Sequence, residues 1–393
     1  MEIELNEAQR EAQARFRAFI QAHVTPVAEE NDRQENTPPD LIQKLAQEGY
    51  LGALIDQKYG GGAMDILTWG LLCAEIGRAS ASLLSLLTVH SMVIQVLNKW
   101  GSEEQRQTWL PKLASGEVIG AFGLTEPNIG SDAKSIETQA ATHADGYLIN
   151  GEKRWISFGQ MARLFLIFAQ HEGKIAAFLV ERERNGFSTE PITGLLGFRS
   201  AMLARVHMRE CVIPATNLMG RIGFGFSHVG STALDHGRYC VAWGCLGLTE
   251  ACLDASLEYT EKRYQFGATL KNHQLIQEMI AEMIVGIRAA RLLCYQAAFL
   301  KQRGDPSLIM ETSIAKYYTS RLAMRAANDA VQIHGANGCS SDFPVQRYLR
   351  DAKVMEIIEG SNQMQQIIIS KVGYQEHLLA KRAARHQGGK SRG

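Results

Sequence analysis

The stretch MEIIEGSNQ, from Met355 to Gln363, sets an acid, Glu359, between two isoleucines and a glycine. A half-buried carboxylate there is costly unless it has a partner or a task, and desolvation raises the proton affinity of such a group. Gly360, directly after it, predicts a sharp turn that aims the acid inward. Glu356, earlier in the same stretch, reads as a solvated helix residue or an ion-pair partner. Three other segments could carry chemistry. AFGLTEPNIGSDA (121–133) runs a strand into a loop of hydroxyls, backbone N–H groups and a permissive glycine, able to hold a polar heterocycle or a phosphate, or else to be an ordinary strand-end turn. KRWISFG (153–159) puts Trp155 and Ser157 two apart, hence on one face of a strand, where an aromatic plane and a hydroxyl suit a flat ring; a core tryptophan is the alternative. RYQFGATLKNHQ (263–274) offers Arg263 to a pyrophosphate or to solvent.

The elements that must position these groups follow from texture. Residues 1–118 carry apolar positions at helical spacing, broken strongly only at Gly60 to Gly62. Residues 119–225 switch to short alternating segments punctuated by Asp-Gly, Asn-Gly and Glu-Gly, which predicts a β domain. Residues 226–375 return to long helical periodicity, enough for a four-helix bundle. Residues 376–393 are basic and poor in apolar groups, and read as a mobile tail.

Composition narrows the function. Forty-one basic residues balance 41 acidic ones, so the chain has no electrostatic footprint for nucleic acid. No apolar run approaches bilayer length, which predicts no membrane partner, and the charged, amphipathic N-terminus reads as a folded helix rather than a signal peptide. Seven cysteines without CxxC spacing are expected to be reduced thiols of a cytoplasmic protein, and no metal site is expected.

Taken together, the segments resemble the acyl-CoA dehydrogenase family of flavoproteins, over nearly the whole chain to about residue 375. The family's TEPxxGSD is matched by Thr125 to Asp132, its KxWIT/S by Lys153 to Ser157, its RxQFG by Arg263 to Gly267, its QxxGGxG by Gln332 to Gly338, and its RDAKxxxIxEG[ST]xQ by Arg350 to Gln363. The resemblance implies an α+β, multi-domain acyl-CoA dehydrogenase fold: an N-terminal helical domain, a central β-barrel-like domain and a C-terminal four-helix bundle. It implies FAD between the last two, completed by a neighbouring subunit, and hence a homodimer or tetramer. The flavin ring falls to Phe122, Leu124, Thr125, Gly130, Ser131, Trp155, Ile156 and Ser157. The adenosine diphosphate half falls to Arg263, Phe266 and Gln274, with Gln332, Gly335, Ala336, Ser361 and Gln363 holding the rest of the dinucleotide. Glu359 takes the place of the family's general base, consistent with an apolar pocket in which Ile357 and Ile358 tune it for proton removal beside a thioester carbonyl. Members that carry the base in the helix after the β domain would have it at Gly237, which cannot ionise. Asp235, Arg238, Ser131 and Gly360 are expected to face the substrate. His236 is expected to be structural or solvated. Two positions depart from the family pattern: Phe158 replaces an asparagine beside the flavin, and Asp56 replaces a proline in a loop.

Within the family, HGRYCVAWGCLGLTEACLDA and RDAKVMEIIEGSNQM look closest to a branch acting on acyl groups tethered to acyl carrier protein, in polyketide extender-unit biosynthesis. The resemblance implies oxidation of a 2-hydroxy-3-oxopropionyl thioester to hydroxymalonyl-acyl carrier protein, with an aminomalonyl branch close by. A catabolic dehydrogenase of short- or branched-chain acyl-CoA is the alternative, and Trp243 could shorten its acyl pocket or simply pack in the core. An oxidase, a monooxygenase or a non-catalytic protein on the same fold is set against the intact flavin and base motifs. The electron acceptor stays open.

Overall fold

Asn6 opens the first helix by reciprocal capping: its side chain accepts from the Gln9 N–H at 2.9 Å while the Gln9 side chain accepts from the Asn6 N–H at 3.1 Å. The computed structural model describes residues 4–390, and its N-terminal layer comprises α1 (Glu7–His23), α2 (Ala28–Gln34), α3 (Pro39–Gln47), α4 (Ile66–Ala79), α5 (Ala81–Trp100) and α6 (Glu103–Ala114). Ser80 separates α4 from α5, because its extended backbone stops one helix while its hydroxyl caps Leu83 of the next. Both helices are buried almost all round, as their continuous apolar sequence requires.

The chain then forms a mixed sheet of β1 (Gly120–Gly123), β2 (Gln139–His143), β3 (Gly146–Ile156), β4 (Leu164–His171), β5 (Lys174–Glu181), β6 (Phe187–Pro191), β7 (Ala204–Pro214) and β8 (Leu218–Met219). Its order is β6-β7-β3-β2-β4-β5-β8, with β1 added parallel to β4. A register shift between Lys153 and Ile156 makes a bulge in β3, and Trp155 sits there at φ 62°. The strict two-residue alternation expected through Trp155 and Ser157 therefore breaks at that point.

Helix α7 (Ser231–Lys262) packs on α4, α5 and the later helix Leu308–His334. The α4–α7 crossing is backbone on backbone: a Cβ on Gly77 would lie 2.6 Å from the Gly244 Cα, and one on Gly247 1.9 Å from the Ala74 carbonyl oxygen. A hairpin of β9 (Tyr264–Gln265) and β10 (Ala268–Thr269) leads to α8 (Gln274–Arg303), α9 (Leu308–His334), α10 (Val345–Met355) and α11 (Asn362–Lys390). Helices α7, α8, α9 and α11 are the long members of this C-terminal helical domain, with α10 bridging the last two.

Two expectations change. Helix α11 runs on to Lys390, so residues 376–390 continue a helix rather than starting a tail; residues 391–393 lie outside the described residues. Three helices, Ala81–Trp100, Gly225–Lys262 and Gln274–Arg303, are long and apolar enough by length and composition to cross a membrane. The expectation that no stretch comes near this missed them because scattered Ser, Thr and His interrupt the runs. Here the first two lie mostly buried inside the protein, whereas the third is half buried.

Candidate active site

The three layers meet at a cleft of about 700 Å³. One wall is the loop after β1, with Phe122, Leu124, Thr125, Gly130 and Ser131, and a second is the end of β3, with Trp155, Ile156 and Ser157. The floor comes from α5 (Leu84, Ser85, Thr88, Val89) and α7 (Leu234, Arg238, Val241), and the turn after α10 closes it with Ile357, Ile358, Glu359, Gly360 and Ser361.

A buried ion pair ties the first two walls together. Lys153 donates to Glu126 at 2.6 Å, and Glu126 also accepts from the Thr138 hydroxyl at 2.6 Å and from its N–H at 3.0 Å. Desolvation pulls Lys153 down to about 8, against the attraction of Glu126. The loop is further stitched to β3 by the Arg154 N–H donating to the Thr125 carbonyl at 2.9 Å. Trp155 stays 47% exposed, with the Arg154 guanidinium 4.6 Å from its ring centroid.

The acid is held by its own main chain. Glu359 and Gly360 take φ 54° and 84°. A glutamate in the left-handed region is strained, and surrounding bonds must hold it there. Arg238 Nε donates to the Glu359 carbonyl at 3.3 Å, and Gln365 Nε2 to the Glu359 and Gly360 carbonyls at 3.2 and 2.8 Å. Lys316, fully buried on α9, donates to the Gly360 carbonyl at 3.1 Å, the Asn362 side chain at 3.1 Å and the Glu356 carbonyl at 3.4 Å. Glu359 Oε2 is buried with no hydrogen-bond partner, and burial pushes the carboxyl up to about 7, against the pull of Arg238 and Lys316. Gly237 makes room for it, since a Cβ there would lie 2.2 Å from Oε2. The position that could have carried an alternative acid is thus filled by Glu359 itself. Ile357 is 58% exposed, so less of the apolar setting comes from the two isoleucines than their sequence positions imply.

Not every expected residue reaches the cleft. Asp235, though three residues before Arg238 on the same helix, is drawn into an ion pair with Lys301 of α8 and does not line the cleft. Phe158 is fully buried in the core and does not line the cleft, so its replacement of an asparagine leaves the cleft wall unaltered. Trp243 also packs in the core, against Gly70 and Tyr295. His236 is buried, with Nε2 2.8 Å from the Ser91 hydroxyl, which fits the structural expectation. Arg263 caps the end of α7 just before the β9–β10 hairpin, Phe266 lies in it and Gln274 after it, and Gln332, Gly335 and Ala336 lie at the C-terminal end of α9; none of these lines the cleft within one chain. Phe266 and Gly267, both at positive φ, form the hairpin tip and leave Phe266 97% exposed. Gln363 lines a separate polar cavity of about 340 Å³ with Tyr317, Arg321, Glu356, Asn362 and Gln366. Sequence reasoning missed Lys316, Gln365, Ser85 and Thr88. For Lys316 a signal existed: it stands in the small-residue stripe Thr312, Ala315, Thr319, Ala323, at the spacing of a buried helix face.

This architecture matches three family models in order: acyl-CoA dehydrogenase N-terminal domain over residues 6–117, middle domain over 121–211 and C-terminal domain over 223–374. The chain belongs to the acyl-CoA dehydrogenase family. It is 35% identical over 376 residues to a short-chain-specific acyl-CoA dehydrogenase of Clostridium acetobutylicum, covering 94% of this chain and 99% of that one. Butyryl-CoA dehydrogenase from Megasphaera elsdenii superposes with a TM-score of 0.91 at 34% identity, covering 95% and 99% of the two chains. The prolyl acyl carrier protein oxidase AnaB superposes with a TM-score of 0.90 at 28% identity, covering 94% and 99%.

The family is FAD-dependent, and the protein is an oxidoreductase of the acyl-thioester dehydrogenase type. The cleft suits the flavin on its own chemistry: a flat aromatic face at Trp155, hydroxyls at Thr125 and Ser157, an open loop at Gly130, and apolar walls elsewhere. Thr125, Trp155 and Ser157 would hold the ring, which supplies a two-electron acceptor when bound. Glu359, with a proton affinity near neutrality and an unpartnered oxygen, can accept a proton in the same cleft. Arg238 adds a guanidinium whose lowered proton affinity reflects burial.

Proposed function

We propose that this chain oxidises a short, oxygen-bearing acyl group presented as a thioester of acyl carrier protein, converting the 2-hydroxy-3-oxopropionyl group to hydroxymalonyl. The observation that carries this reading is the acyl end of the cleft. There Arg238, bonded through Nε alone among the described residues, faces the cavity beside Glu359 and the hydroxyl-bearing Ser85 and Thr88. Leu84 lines this end and packs on Gly244, where a Cβ would come within 2.0 Å of it. A short chain with oxygens at C2 and C3 suits such a pocket better than a long alkyl chain. Water first adds to the C3 aldehyde, and Glu359 then accepts a hydroxyl proton of the hydrate; FAD, when bound, would supply the two-electron acceptor for the C3 hydride, which leaves the carboxylic acid.

A second reading rests on the short-chain-specific relative: dehydrogenation of a short acyl-CoA, in which Glu359 takes the Cα proton and FAD, when bound, would supply the acceptor for the Cβ hydride. Both readings include a homo-oligomer, in which the exposed Phe266 hairpin and Arg263 reach the flavin's diphosphate half on a neighbouring subunit. The test is to mix the purified flavin-loaded protein, without oxygen, with 2-hydroxy-3-oxopropionyl-acyl carrier protein and separately with short acyl-CoAs. Bleaching of the flavin band by the carrier-bound aldehyde alone supports the proposal. Bleaching by acyl-CoAs alone overturns it in favour of the second reading.

A further inference from the structure

Beneath Glu359 lies one buried ammonium, that of Lys316. The turn from Glu356 to Asn362 has no regular main-chain ladder to hold it, yet it must keep a glutamate at φ 54°. Its carbonyls are bound instead by side chains from three helices: Arg238 of α7, Gln365 of α11 and Lys316 of α9. Lys316 and Gln365 are both wholly inside the protein, and of these two Lys316 alone carries a charge. It also reaches both ends of the turn, the Glu356 and Gly360 carbonyls, together with the Asn362 side-chain oxygen. That oxygen is shared with the Ser320 hydroxyl at 2.8 Å, and the Asn362 N–H donates back to the Glu356 carbonyl at 2.9 Å. A buried ammonium needs three acceptors and a countercharge. The turn supplies the acceptors, and the carboxylate it presents supplies the charge.

We propose that Lys316 is the positioning residue of this site: its ammonium anchors the turn that presents Glu359, and its charge sets how readily that carboxyl takes and releases a proton. This rests on the reading of Glu359 as the base. The ammonium is bonded to the main chain of the turn rather than to the carboxylate, so it acts through geometry and field and leaves Oε2 free to meet a substrate proton. The titratable and charged groups around Glu359 are few. Helix α7 contributes Arg238 and Cys240, α9 contributes Lys316, and the end of α10 contributes Glu356; α11 contributes only the uncharged Gln365 and α5 the uncharged Met92. His236 is engaged with Ser91 and Cys240. Arg238 and Lys316 are therefore the two cations that make an ionised Glu359 tolerable, and burial brings Lys316 itself down to about 8.

The variants are K316M, which removes bonds and charge, K316Q, which keeps hydrogen-bonding groups without charge, and K316R, which keeps charge. Two readouts are taken on the full-length, flavin-loaded chain. One is infrared titration of the Glu359 carboxyl, its band identified by loss in E359Q; the other is the pH profile of anaerobic flavin reduction. K316M and K316Q are expected to move the Glu359 titration and the acid limb of the profile upward together, by about one pH unit, a loss of about tenfold in rate on that limb. K316R is expected to restore both to near the parent positions. An unchanged Glu359 titration in K316Q overturns the proposal, as does a uniform fall in rate with no movement of the limb. If K316M does not fold, K316Q and K316R decide by the same criteria. Failure of the base reading is seen separately, as flavin reduction that survives in E359Q while the infrared titration still reports the coupling.

Discussion

Replacing Glu359 by glutamine is expected to abolish flavin reduction and, at the same time, to stabilise the protein at neutral and alkaline pH. The carboxyl goes from an ordinary value of 4.5 to about 7 on folding, because burial disfavours its charge. Between those two values the unfolded chain releases a proton that the folded chain keeps. Stability therefore falls as pH rises through that window, and the loss is complete above pH 7. At about 1.4 kcal/mol per pH unit, the full cost is about 3 kcal/mol. Glutamine has the same shape and no charge to desolvate, so E359Q escapes this penalty. Urea unfolding at saturating FAD, followed across pH 4.5 to 8, should show parent and variant converging at the acid end and diverging by about 3 kcal/mol at pH 8. Parallel curves across the whole range would refute the reasoning, because they would mean that the acid is as well solvated folded as unfolded.

Gly237→Ala should displace the Glu359 carboxylate, lowering the rate of flavin reduction by about 100-fold and stability by about 1–3 kcal/mol, read by stopped-flow absorbance and urea unfolding. Lys153→Met leaves Glu126 buried without its cation and should cost about 3–5 kcal/mol, together with weaker FAD retention measured by equilibrium dialysis. Phe266→Asp, at a residue that contributes almost nothing to the core of its own chain, should leave monomer stability unchanged while shifting light-scattering mass toward the monomer and lowering FAD retention.

The parts of this site that were legible from sequence are those carried by contiguous turns. TEPNIGSD, KRWIS and EGS each place their residues on the cleft because a strand end or a glycine turn presents neighbouring side chains together. Glu359 stood out for the same reason, an acid between apolar residues before Gly360. What was illegible depends on partners distant in the chain. The direction of Asp235 is set by Lys301, 66 residues on, and the anchoring role of Lys316 by a turn some 40 residues away. Phe158 departs from the family pattern at a place where its side chain faces the core, which no local pattern announces. The membrane-length helices escaped notice because scattered polar residues interrupt their apolar runs; inside the fold such groups find partners, as the Thr88 hydroxyl does in donating to the Leu84 carbonyl.

The glycine seam between α4 and α7 limits how this enzyme could be altered. Because Gly77 meets Gly244, and Gly247 meets Ala74, main chain to main chain, the packing of α7 on α4 leaves no side chain to trim at these points. A longer acyl chain could not be admitted by shaving α7 at these points, and any larger residue would push two helices apart. Adjustment of chain length falls to α5, where Leu84 and Val89 project into the cleft from a helix that can exchange one side chain for a smaller one. A laboratory search for new substrates would therefore find its gains at positions 84 and 89, and its casualties along the seam.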